Sequence, residues 1–92
     1  MITRAGNDIG KNLETIVFHH LRKKYGRVFY WREKGEIDFV VQEGQNILAF
    51  QVSRDGIKER HKRAAEEFHE VFPQAGEIPM ITMENIISFL KS

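Results

Sequence analysis

The 92-residue chain suits one domain, and its 41% hydrophobic and 29% charged residues are an ordinary globular balance. With no cysteine, a disulfide framework and a thiolate metal site are excluded. Net charge is only +1, but it is unevenly spread: residues 1–53 carry +2, residues 54–63 carry +3 and residues 64–92 carry −4.

In chain order, the first periodic segment runs from Asp8 to Tyr25. Ile9, Leu13, Ile16, Val17, His20 and Leu21 recur on one helical stripe. Asn7 or Asp8 suits the start as a cap, and Gly26 suits the end. The aromatic, β-branched run RVFYW reads as a strand, and Lys34-Gly35 marks a turn.

The next two strands are EIDFVV and NILAFQVS, joined at EGQN, a good hairpin loop. In the first, Glu36, Asp38 and Val40 alternate with Ile37, Phe39 and Val41. In the second, Ile47, Ala49, Gln51 and Ser53 alternate with Leu48, Phe50 and Val52. A two-residue loop at Gly44-Gln45 and a four-residue loop from Glu43 to Asn46 give the same register. Both set Asp38 opposite Gln51 and Glu36 opposite Ser53, with facing side chains about 5.5 Å apart at Cβ. A bulge would shift that pairing.

A second helix is expected from Ile57 to Phe72, with Ser53 or Asp55 as cap and Pro73 as terminator. Its inner stripe is Ile57, His61, Ala64, Ala65, Phe68, Val71 and Phe72. IPMIT follows as a short strand, with Pro79 favouring an edge. Thr82 suits the cap of a last helix, MENIISFLK, with Ile86, Ile87, Phe89 and Leu90 inward. The expected fold is an αβββαβα sandwich, α/β in class, on a mixed sheet of about four strands with one parallel pair.

The order helix, three strands, helix, strand resembles the PD-(D/E)xK nuclease superfamily, with its restriction-endonuclease-like fold. That pattern places an acid on the first helix, an Asp on the second strand and acid-x-Lys on the third. Glu14 and Asp38 match it, whereas Gln51-Val52-Ser53 stands at the acid-x-Lys position. From about Asn7 to Leu90, with YWREKGEIDFVV as the strongest piece, the chain also resembles the nuclease-like C-terminal domain of uncharacterised archaeal and bacterial AAA-type ATPases. It contains no GxxxxGK[ST] loop. The resemblance therefore implies an excised domain or a small stand-alone relative, with residues 1–92 as a single unit.

That resemblance makes Glu14, Asp38, Gln51 and Ser53 the candidate catalytic positions. Asp38, Glu14 and Gln51 become the candidate ligands for Mg²⁺ or Mn²⁺. Such a cation neutralises developing phosphate charge and activates water. Gln51 offers only a neutral oxygen, and Ser53 cannot supply a lysine's charge. Lys58 or Lys34 reaching in from elsewhere, or Glu36 as the second acid, would rescue an active enzyme. As a structural alternative, Asp38 would be satisfied by Arg32, Lys34, a helix-borne arginine, Gln51 or Ser53. No two histidines fall at the i, i+4 spacing of helical zinc ligands.

Two basic zones suit phosphate backbones: Arg22, Lys23, Lys24, Arg27, Arg32 and Lys34, then Arg54, Lys58, Arg60, Lys62 and Arg63. The expected function is a nuclease-fold domain with a degenerate catalytic motif, binding nucleic acid such as DNA or regulating an ATPase. The alternatives are an active Mg²⁺-dependent DNA endonuclease with a displaced lysine, and an interaction or self-association module using RVFYW or the last helix. No apolar run approaches a membrane span and the N-terminus lacks a signal-peptide core, so a cytoplasmic protein is expected.

Overall fold

The computed structural model describes residues 12–54 and 56–91. The expected helix start at Asp8, its caps Asn7 and Asp8, Ile9, and the cap Asp55 lie outside the described residues.

The elements run α1 (Asn12–Tyr25), β1 (Phe29–Arg32), β2 (Glu36–Glu43), β3 (Asn46–Val52), α2 (Glu59–Val71), β4 (Met80–Ile81) and α3 (Ile86–Lys91). This is the expected αβββαβα order. The sheet order is β1-β2-β3-β4, antiparallel except for the parallel pair β3–β4. The connection through α2 makes that parallel pair possible, because parallel neighbours need a crossover.

Two buried clusters hold the layers together. Leu13, Val17 and Leu21 repeat every fourth residue on α1. They pack with Ile86 of α3 against Phe39, Val41, Val52 and Ile81 of the sheet. On the opposite face, Ala64 and Phe68 of α2 pack on Ile37 and Ala49. Trp31 meets Phe68 edge-on with ring centroids 5.3 Å apart, a favourable aromatic geometry.

The ends of α1 and of the hairpin follow local chemistry. Arg22, Lys23 and Lys24 fill the last turn of α1, where cations complement the helix dipole. Gly26, at φ 90°, donates its N–H to Arg22 O at 2.9 Å, closing the helix as a left-handed residue does best. The β2–β3 turn is the two-residue loop Gly44-Gln45 between the paired Glu43 and Asn46.

Several expectations are corrected. β1 begins two residues later than RVFYW, and β4 keeps only Met80 and Ile81 of IPMIT. α2 starts at Glu59, so neither Ser53 nor Ile57 belongs to its first turn. The His61 ring captures the Lys58 N–H and sets the start there. Ile57 and Val71 are exposed rather than inward, as are Ile16 and Ile87. Ile16, Val71 and Ile87 lie off the narrow stripes that reach the sheet, and Ile57 precedes α2. Thr82 caps a turn ahead of α3: its Oγ1 accepts the Glu84 N–H, and Asn85 Oδ1 accepts the Thr82 N–H.

The strict alternation expected for EIDFVV also fails. Ile37 and Val40 pack on the α2 side, whereas Phe39 and Val41 pack on the α1 side. β1 explains the break. Phe29 pairs with Val40 and Trp31 with Ile37, so two steps on β1 face three on β2. The extra residue is a β-bulge at Asp38-Phe39, which re-aims side chains at that point.

Candidate functional site

Register and bulge together place Asp38. From Glu43↔Asn46 to Phe39↔Phe50, β2 and β3 pair in the expected register. Beyond Phe50, the Val52 N–H turns towards β2, because Gln51 and Ser53 donate theirs to Pro79 O and Ile81 O on the β4 side. Asp38 Oδ2 accepts that Val52 N–H at 2.8 Å. A side-chain carboxylate thus completes the ladder where the paired positions end.

Burial dominates the electrostatics of Asp38 and raises its pKa from 3.8 to about 6. The Val52 N–H opposes that rise, Glu14 and Glu36 reinforce it, and Arg60 opposes it. Charges on α1 (Glu14) and on α2 (Arg60) therefore both act on Asp38. Arg32 does not serve Asp38; its Nε lies 3.8 Å from Glu36 Oε2 in an exposed pair, worth little in water.

Gln51 is 2% exposed and reaches into α2. Its Nε2 donates to His61 O at 3.1 Å rather than to Asp38, and its Oε1 is buried without a partner. Such an orphaned acceptor costs about 1–3 kcal/mol. Ser53 is half-buried after β3, and Glu14, Lys34 and Lys58 are exposed. His61 is the residue whose part the sequence reading missed. Its Nδ1 accepts the Lys58 N–H at 3.0 Å, which requires the neutral ring. Burial, Arg60 and Lys58 all lower its pKa from 6.5. An acceptor three residues into a helix is the capping-box signal, here carried by an imidazole instead of Glu or Gln.

A hard divalent cation does not fit this donor set. One Asp38 oxygen is engaged by Val52, Gln51 contributes a single neutral carbonyl, and Glu14 stays exposed. Among the described residues, no group of three His, Cys, Asp or Glu side chains converges to hold a metal ion. Mg²⁺ prefers carboxylates in near-octahedral geometry.

The basic residues fall into two groups. Arg32 and Lys34 lie at the β1–β2 turn, and Arg54, Lys58, Arg60, Lys62 and Arg63 follow β3 and open α2. All are exposed, at the Asp38 end of the sheet. Arg22, Lys23, Lys24 and Arg27 gather at the far end of α1, about 15 Å along the helix from Glu14. There Lys24 and Tyr25 border a groove of about 380 Å³ with Phe50, Met80 and Phe89. The first basic zone of the sequence is therefore split in two.

No described helix is long and apolar enough to cross a membrane. In comparison with protein-family models, residues 9–89 match DUF4143, described as a domain of unknown function. Comparisons with curated proteins and with solved structures gave no match.

Proposed function

From a chain that belongs to the DUF4143 family, we propose a nucleic-acid-binding domain that has lost phosphodiester hydrolysis. On this reading it is a nuclease-like domain of the PD-(D/E)xK kind, with DNA as ligand and an AAA-type ATPase as the partner it regulates. The observation that carries the proposal is the contrast at the end of β3. Five exposed cations, Arg54, Lys58, Arg60, Lys62 and Arg63, follow β3 and open α2, at the end of the sheet where the site's own polar groups are turned inward.

Phosphate contacts need exposed cations and no special geometry, so these basic side chains suffice for binding. Hydrolysis needs more. A second carboxylate and a lysine would have to hold a cation and stabilise the attacked phosphate, and Gln51 and Ser53 bring no charge to either task. Losing one such stabilising donor lowers rates by about 10²–10³ in measured enzymes.

The test pairs binding with cleavage. Fluorescently labelled DNA is titrated with the wild-type chain and with the double variant Arg60→Glu/Arg63→Glu, and plasmid is incubated with Mg²⁺ or Mn²⁺. Binding that the variant loses, with intact plasmid, supports the reading. Cleavage that Asp38→Ala abolishes would replace it with an active nuclease.

A further inference from the structure

Strand β1 is the outer strand of the sheet, and among the described residues it pairs with β2 alone. Glu33 donates its N–H inward to Gly35 O. Alternation along an antiparallel strand then points the N–H and C=O groups of Arg32 and Tyr30 outward, with Val28 just before the strand. An open edge of this kind is a template for another strand. It carries no proline, and Phe29 and Tyr30 are 50% and 42% exposed.

We propose that this edge pairs with β1 of a second copy of the chain, antiparallel across a two-fold axis centred on Tyr30. The inference rests on β1 and is independent of the nucleic-acid reading. Charge selects both the occupant and the register. Centring on Tyr30 sets Arg27 opposite the partner copy's Glu33, twice by symmetry, because an isologous contact repeats each pair.

The same register brings the outward groups into phase: Tyr30 exchanges main-chain bonds with its own copy, and Val28 does so with Arg32. Phe29 then faces Trp31 in the closer, non-hydrogen-bonded type of pair, where aromatic partners contribute most. Sliding by one two-residue step towards the C-terminus places Glu33 opposite Phe29 and loses both ion pairs. A further step sets Arg32 against Arg32. The result is one continuous eight-stranded sheet, twice the four strands of one copy.

The test is sedimentation equilibrium across the micromolar to millimolar range, with amide hydrogen exchange at Tyr30 and Arg32. A reversible dimer with slowed exchange at those two amides is expected. Arg27→Glu and Glu33→Arg should each weaken it about tenfold or more, since each turns two attractive cross-strand pairs repulsive. The double variant Arg27→Glu/Glu33→Arg should restore it. A monomer throughout the range overturns the proposal, as does a dimer indifferent to these reversals. Slowed exchange that appears only with an added unrelated peptide also overturns it, by assigning the edge to another occupant.

Discussion

Asp38 Oδ2 lies 2.8 Å from the main-chain nitrogen of Val52, so a carboxylate closes the β2–β3 ladder where paired positions end. This one contact gives Asp38 a structural task, and burial sets a cost for performing it as an anion. Burial pushes the carboxyl pKa up to about 6, from an ordinary value of 3.8.

The sign of the linkage follows. A raised folded-state pKa means that the Asp38 contribution is fully present below about pH 4 and is lost as pH rises through about 6. Asp38→Asn keeps an acceptor for Val52 and removes the charge. It should stabilise the protein by about 1–3 kcal/mol near pH 8 and by much less near pH 4. Chemical denaturation at both pH values measures this. A variant that is less stable near pH 8 would show that the ionised carboxylate is satisfied by something other than Val52.

His61 has the opposite sign. Its lowered pKa keeps the ring neutral and able to accept the Lys58 N–H. The stability it contributes is present above its ordinary pKa of 6.5 and falls as pH drops below it. His61→Ala should therefore cost about 2 kcal/mol near pH 8, combining a lost cap with lost burial, and less near pH 5. Thermal unfolding at the two pH values checks the difference. An equal cost at both would mean that the cap does not depend on the neutral ring.

Gly35 shows a constraint of another kind. A Cβ built there would lie 2.8 Å from Ala64 Cβ and 3.0 Å from Ala64 Cα. The second atom is helix backbone and cannot swing aside. Gly35→Ala should destabilise by about 1–3 kcal/mol, and a double-mutant cycle with Ala64→Gly should show coupling between the two positions. Additive effects would place the strain elsewhere.

Local chemistry made much of this fold legible in the sequence. The β2–β3 register followed from Gly44-Gln45 and two alternating runs. The α1 core stripe followed from Leu13, Val17 and Leu21, and the helix end from Gly26. What escaped depends on contacts between elements. The bulge at Asp38-Phe39 is visible only in how β2 meets β1. The turn of Gln51 towards α2 depends on where the His61 carbonyl sits, and the contact of Gly35 with Ala64 depends on how closely α2 docks. Asp38 stands out in the sequence as an unusual strand residue, but side-chain chemistry points to a cation or an amide as its partner, whereas the structure supplies a main-chain N–H.

The donor set around Asp38 predicts the response to cations. Wild-type thermal stability should not change when Mg²⁺ or Mn²⁺ is added, since a ligand that binds the folded state raises it. Gln51→Glu/Ser53→Lys installs an acid-x-Lys pattern. It should lose about 3–5 kcal/mol without metal, because it places an unpaired carboxylate at the buried position 51, and regain part of that with Mn²⁺. Calorimetric scans with and without the ion measure both. Stabilisation of the wild type by Mn²⁺ would contradict the donor-set reading.

The central claim is that the cations following β3 and opening α2 bind a phosphate backbone. The salt dependence of DNA affinity tests it most directly, measured by fluorescence anisotropy between about 50 and 200 mM salt. With three to five phosphates engaged, log K should fall against log salt with a slope of about −3 to −4.5 on duplex DNA, and Arg60→Glu/Arg63→Glu should flatten it by about 2. A slope near zero, or one that the two reversals leave unchanged, would contradict the account.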